Sequence, residues 1–108
     1  MKIQISNRHE TAHPQIKTMI EQELESLATR YDIILGADVI LDHEGKNGAT
    51  TMSAEINLKI KGQLLTASEK SEKIEKSIDL AVRSLEKQLK RHKETHYSSQ
   101  DRSFTPKV

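Results

Sequence analysis

Apolar residues recur along this chain with two different periods. "KIQIS" (2–6) places Ile3 and Ile5 on one side, a period of two that predicts a short strand. "NRHETAHP" (7–14) reads as a turn and a helix entry, with Pro14 at the first helical position, where its missing N–H costs nothing. From Pro14 to Tyr31 the apolar positions are Ile16, Met19, Ile20, Leu24, Leu27, Ala28 and Tyr31, the spacing of an amphipathic helix. Thr18, Gln22, Glu25 and Thr29 fall on its outer face, and Gly36 punctuates the link that follows.

The period then returns to two. In "ADVILDH" (37–43) Val39 and Leu41 share one side and Ile40 takes the other. "EGKNG" (44–48) reads as a polar turn. "TMSAEINLKI" (51–60) alternates strictly, with Met52, Ala54, Ile56, Leu58 and Ile60 on one face. "KG" (61–62) marks a tight hairpin into "QLLTASE" (63–69), with Leu65 and Ala67 inward. A long helix is expected from an N-cap at Ser71, with Glu72 in its first turn, to about Lys93 or Glu94. Ile74, Ile78, Ala81, Val82, Leu85 and Leu89 form its stripe.

The predicted order is β-α-β-β-β-α, an α+β fold. One apolar face per strand and one stripe per helix pack most economically as a single four-stranded sheet with both helices on one face. The three later strands join by short turns and should be antiparallel, while the first, followed by a helical crossover, should pair parallel. Residues 1–94 form the expected domain, and 95–108, richer in Ser, Thr and Pro, a flexible tail.

A helical wheel separates "RSLEKQLKRHKE" (83–94) into two functions. With Leu85 as zero, the apolar stripe lies within about 60° of it, and Lys76, Arg83, Lys87 and Lys90 lie within about 40° of the opposite pole. Arg91 and Lys73 flank that pole. The cations span roughly 20 Å of helix at 1.5 Å per residue. Two readings stand on pattern alone. A solvated face is the ordinary one, since Lys and Arg suit a helix C-terminus and Glu86 and Lys90 have favourable i, i+4 spacing. A row of cations on a rigid rod also suits nucleic-acid phosphates. Leu80 falls on the outer half of the wheel, outside the predicted core.

Charge sharpens this picture. The chain is near neutral overall, at +1, but residues from Ser71 onward carry nine bases against six acids. With 34% hydrophobic and 31% charged residues in 108, one small domain is expected. The chain has no Cys, which excludes disulfides and thiolate chemistry. No apolar run approaches the roughly 20 residues of a membrane span. "MKIQISNRHE" lacks the apolar centre of a signal peptide, so a cytoplasmic protein without membrane contact is expected. His9 and His13, like His92 and His96, have the i, i+4 spacing that can share a metal, but the second pair has no evident third ligand, and surface histidines are the ordinary reading. No P-loop, nucleophile elbow or cofactor motif occurs, so neither an enzyme nor a cofactor is expected. No predicted strand holds an aromatic residue, which argues against base stacking on the sheet.

"MKIQISNRH", "IKTMIEQELESLATRYD" (16–32), "ADVILD" (37–42), "AEINLKIKGQLLTASE" (54–69) and "SIDLAVRSLEKQLKRHK" (77–93) together resemble the ribosome hibernation-promoting factors, whose short forms include protein Y. The resemblance covers about residues 1–94. It implies a fold like a double-stranded RNA-binding domain and binding in the mRNA and tRNA channel of the small ribosomal subunit. It further implies silencing of idle ribosomes in stationary phase or stress. By position it implies RNA contacts from Lys87, Arg91 and Lys93 in the last helix, Lys17 in the first, and Arg8 after the first strand. The wheel adds Lys76, Arg83 and Lys90. Glu23 and Ser26 stand where the family carries lysines in the first helix, and Ser84 where a lysine is common. The expected partners are the small subunit, its ribosomal RNA and the whole ribosome, with the free protein a monomer. A regulator of protein partners, of the sigma-factor-modulating kind, is the alternative.

Overall fold

The computed structural model describes the backbone of residues 1–8, 14–46 and 49–101, and the side chains of 1–8, 14–45 and 50–93. Its elements are β1 (Lys2–Asn7), α1 (Pro14–Arg30), β2 (Ile34–Lys46), β3 (Ala49–Ile60), β4 (Gln63–Ser71) and α2 (Ile74–Asp101). The sheet order is β1-β2-β3-β4, with β1 parallel to β2 and the other pairs antiparallel, as the connections required.

The register aligns the alternating apolar residues into rows. Ile5, Val39, Ile56 and Ala67 cross the sheet in one row, and Ile3, Ala37, Leu58 and Leu65 in the next. Both helices lay their stripes on this face. Ile20, Leu24 and Leu27 of α1 and Ile78, Leu85 and Leu89 of α2 are fully buried in one cluster with it. Burial of each such side chain contributes about 1.5–3 kcal/mol. Leu80 is half-buried, nearer the core than the wheel placed it.

Chain direction sets how the helices lie. α2 runs antiparallel to β4, since Ser77 lies beside Ser71, Gln88 donates to the Thr66 carbonyl, and His92 sits 3.5 Å from Gln63. α1 returns antiparallel to β1, so the helices run parallel. The C-terminal end of α1 therefore sits beside the later turns of α2, where Arg30 donates to the Glu86 carboxylate.

Five local features differ from the sequence expectation. β2 starts at Ile34, through an irregularity between Ile34 and Gly36 that breaks the period of two. It runs to Lys46, so Glu44, Gly45 and Lys46 pair with Thr51, Thr50 and Ala49 instead of turning. Gly36 is not link punctuation: a Cβ there would stand 2.9 Å from the Lys2 carbonyl oxygen, so glycine permits the close approach of β1. Ser71 ends β4 and does not cap α2 directly. The first helical bond runs from the Ser77 N–H to the Lys73 carbonyl, and the Ser71 hydroxyl braces Lys73 from outside. The helix also extends past the expected end at Glu94, to Asp101. Residues 9–13, 47–48 and 102–108, which hold most of the predicted first turn, the tip of the second and the end of the tail, lie outside the described residues. At Gly62 the expectation holds, with φ at +87° in the β3–β4 hairpin.

Ser77 is fully buried on α2. Its hydroxyl donates to the Met52 carbonyl at 2.7 Å and lies 2.8 Å from the Ser71 hydroxyl. A buried hydroxyl needs such partners, and these tie the first turn of α2 to the ends of β3 and β4.

Candidate nucleic-acid interface

The core stripe of α2 fixes what the opposite face presents. With Ile78, Leu85 and Leu89 against the sheet, Lys76, Arg83, Lys87 and Lys90 stand exposed along the crest. Arg91 is exposed on the flank toward β4, the side on which Ser77 and Gln88 reach the strands. Lys93 is exposed on the other flank, beside Thr29–Ile33 at the end of α1.

The bordering acids are taken up in ways that leave the crest positive. Asp79 pairs with Arg83 at 3.1 Å, one turn along the helix. Glu86 does not pair with Lys90 as its spacing suggested but with Arg30 of α1. Among the described residues, Lys76, Lys87, Lys90, Arg91 and Lys93 make no ion pair or hydrogen bond. Five cations thus remain available on one helix, with Arg83 held by its own neighbour.

The remaining sequence candidates lie elsewhere. Lys17 is exposed on α1, one turn before Glu21, on the flank that faces Met1 and Ile3 of β1. α2 lies across the opposite flank, where Arg30 meets it. Arg8 reaches Asp42 at 4.0 Å, and Asp42 alternates with the buried Val39 and Leu41, so Arg8 is drawn to the open face of the sheet. The fold therefore gathers Lys76, Arg83, Lys87, Lys90, Arg91 and Lys93 on one helix and places Lys17 and Arg8 away from them. On α1, Glu21, Glu23 and Glu25 outnumber Lys17 and Arg30.

The open sheet face has a different chemistry. Lys59 pairs with Asp38 at 3.5 Å and Lys70 with Glu44 at 3.8 Å. Thr66 donates to Asn57 across the β3–β4 pair, and Asn57 donates to Glu55. No described strand carries an aromatic side chain. On that face Lys59 and Lys70 are paired while, among the described residues, Lys2 is not, and no Phe, Tyr or Trp stands there to stack a base, whereas the α2 crest carries a longer run of unpaired cations.

Tyr31 is the functional candidate the sequence reading assigned only to the core. It follows α1, half-buried, and lines a cleft with Arg30 and Lys93. Its backbone N–H donates to Leu27 and its carbonyl accepts from Ile34. Placing it needs the junction of α1 with α2, which no local pattern contains. Of the histidine pairs, His9, His13 and the His96 side chain lie outside the described residues. No group of three metal-ligating side chains occurs among the described residues. No described helix is long and apolar enough to cross a membrane.

Comparison with known proteins bears on the fold and the family. A ribosomal subunit interface protein from Coxiella burnetii has 26% identity and a TM-score of 0.75, covering 86% of this chain and 98% of its own. The N-terminal domain of Protein Y from Thermus thermophilus has 31% identity and a TM-score of 0.74, covering 85% of this chain and 99% of its own. No curated protein sequence matched significantly. The model of the Sigma 54 modulation protein / S30EA ribosomal protein family matches residues 3–96, nearly the whole described fold. The chain belongs to the Sigma 54 modulation protein / S30EA ribosomal protein family.

Proposed function

We propose that this protein is a cytoplasmic ribosome hibernation factor. It binds ribosomal RNA of the small subunit through the α2 crest and occupies the mRNA and tRNA channel, silencing and preserving idle ribosomes under stress or in stationary phase. The family is one of ribosome-binding proteins without enzymatic activity. The observation that carries the reading is the row of unpaired cations on α2, set against an open sheet face where Lys59 and Lys70 are paired with acids. A rigid rod of cations contacts a phosphate backbone with little side-chain reorganisation, and its affinity is governed by counterion release. In this chain the last helix carries the contact, because the outer surface of α1 has more acids than bases.

Competition on purified small subunits tests the proposed location. Saturating protein should block binding of tRNA and of a short messenger, and should stop cell-free translation. Simultaneous binding of protein, messenger and tRNA to one small subunit would refute occupation of the channel.

The acid surplus of α1 favours a second reading, a regulator that docks a basic protein segment. Reversing Arg83, Lys87 and Arg91 to Glu separates the two, since it abolishes ribosome binding only if the α2 crest makes the contact.

A further inference from the structure

The crest explains contacts with phosphates but leaves a second feature without a role. At its C-terminal end, one turn past Lys90, Lys93 turns toward α1. There it lines a cleft of about 350 Å³ with Thr29, Arg30, Tyr31, Asp32 and Ile33. Among the described side chains Tyr31 is the one Phe, Tyr or Trp. Its backbone is held on both sides by hydrogen bonds to Leu27 and Ile34, and its half-buried side chain packs against the core, which restricts the ring before any ligand arrives.

We infer that this cleft receives a single unstacked RNA base, packed against Tyr31, while the backbone phosphates on either side run along Lys90 and Lys93. The inference rests on the RNA-binding reading and deepens it, from backbone recognition to recognition of an extruded or single-stranded nucleotide.

The chemistry of the cleft favours a base over a bare anion. Arg30 is already neutralised by Glu86, and Asp32 offsets the charge of Lys93 in the lining. The C-terminal end of α1 points its carbonyl dipoles the same way, which disfavours phosphate inside. An aromatic ring and two acceptors, the Asp32 carboxylate and the Thr29 hydroxyl, whose hydrogen goes to the Glu25 carbonyl, instead suit a flat, apolar-faced ligand with donor groups on its edge. Single-stranded RNA is recognised through aromatic stacking and base-edge hydrogen bonds of this kind. The cleft size is that of a small-molecule site. The crest supplies the electrostatic attraction, and the cleft adds a contact that a fully paired duplex cannot make.

The test uses the full chain with two probes, a short oligoadenylate and a blunt RNA duplex of the same length. Tyr31→Leu keeps apolar bulk against the core, and Tyr31→Phe keeps the ring. Tyr31→Leu should weaken oligoadenylate binding about five- to a hundredfold, as loss of one stacked base does, and leave duplex binding unchanged. Tyr31→Phe should bind both probes like the wild type. Ring protons of Tyr31 in the wild-type protein should shift upfield on adding oligoadenylate, a readout that needs no variant. Unchanged oligoadenylate affinity in Tyr31→Leu, an equal loss for both probes, or unmoved ring protons would each overturn the cleft. Duplex and small-subunit binding by the wild type, and with them the RNA-binding reading, would survive those results. If the wild type binds neither probe nor small subunits, the RNA-binding reading itself fails, and the cleft with it.

Discussion

Replacing Lys87 and Lys90 together by Gln removes two of the five unpaired cations on α2. Both side chains are exposed, and Leu85 and Leu89, which anchor that segment, are untouched. Exposed substitutions of this kind change stability by about 0.5 kcal/mol or less, so any lost binding reports the surface. Each neutralised phosphate contributes about 0.7–0.9 to the slope of log affinity against log salt. Five contacts from Lys76, Lys87, Lys90, Arg91 and Lys93 give a slope near about −4, and three give about −2.5. Raising salt from about 50 to about 200 mM should then weaken the wild type about two orders of magnitude and the double variant only about thirtyfold. Equilibrium binding of labelled protein to purified small subunits, at fixed magnesium across a potassium series, measures both slopes. Thermal unfolding of the same samples checks the fold. Equal slopes for the two proteins would refute the assignment of these lysines to phosphates.

Other substitutions probe separate parts of the account. Glu86→Gln removes the acid that holds Arg30, so RNA affinity should rise a few-fold and the salt slope steepen; weaker binding would show that the pair orders the helices for RNA. Its stability cost should be about 1 kcal/mol, because Arg30 is half exposed although Glu86 is largely covered. Leu89→Ala should cost about 2–5 kcal/mol by chemical denaturation, with a cavity between α2 and the sheet. Ser77→Ala leaves the Met52 carbonyl without the Ser77 hydroxyl and should cost about 1–3 kcal/mol, seen as earlier exchange of amides in the first turn of α2.

The sheet and both helices were legible in the sequence because their signals are local. Alternation marked Met52 to Ile60 as a strand, and a stripe from Ile74 to Leu89 marked the last helix. The wheel also identified the outward cations, since the buried face of a helix determines its exposed face. What it could not show depends on contacts between elements distant in the chain. Glu86 had a suitable local partner in Lys90, yet the parallel packing of α1 offered Arg30. Gly36 looked like a turn residue, because its true constraint, the Lys2 carbonyl, lies on another strand. Ser77 was not among the predicted core positions, because the groups that satisfy its buried hydroxyl lie on β3 and β4. Arg8 and Lys17 were assigned by resemblance alone, and the fold places them on the sheet side and on the far flank of α1. Tyr31 carried the period of the first helix, which hid its place in a cleft.

Sedimentation of the untagged protein with ribosomes from stationary-phase cells tests the central claim most directly, run beside the variant with Arg83, Lys87 and Arg91 reversed to Glu. The account predicts that the wild type travels with small subunits or whole ribosomes at low salt and is released as salt rises, while the folded variant stays at the top of the gradient. Wild-type protein found only in the soluble fraction, or a variant that sediments as the wild type does, would contradict it.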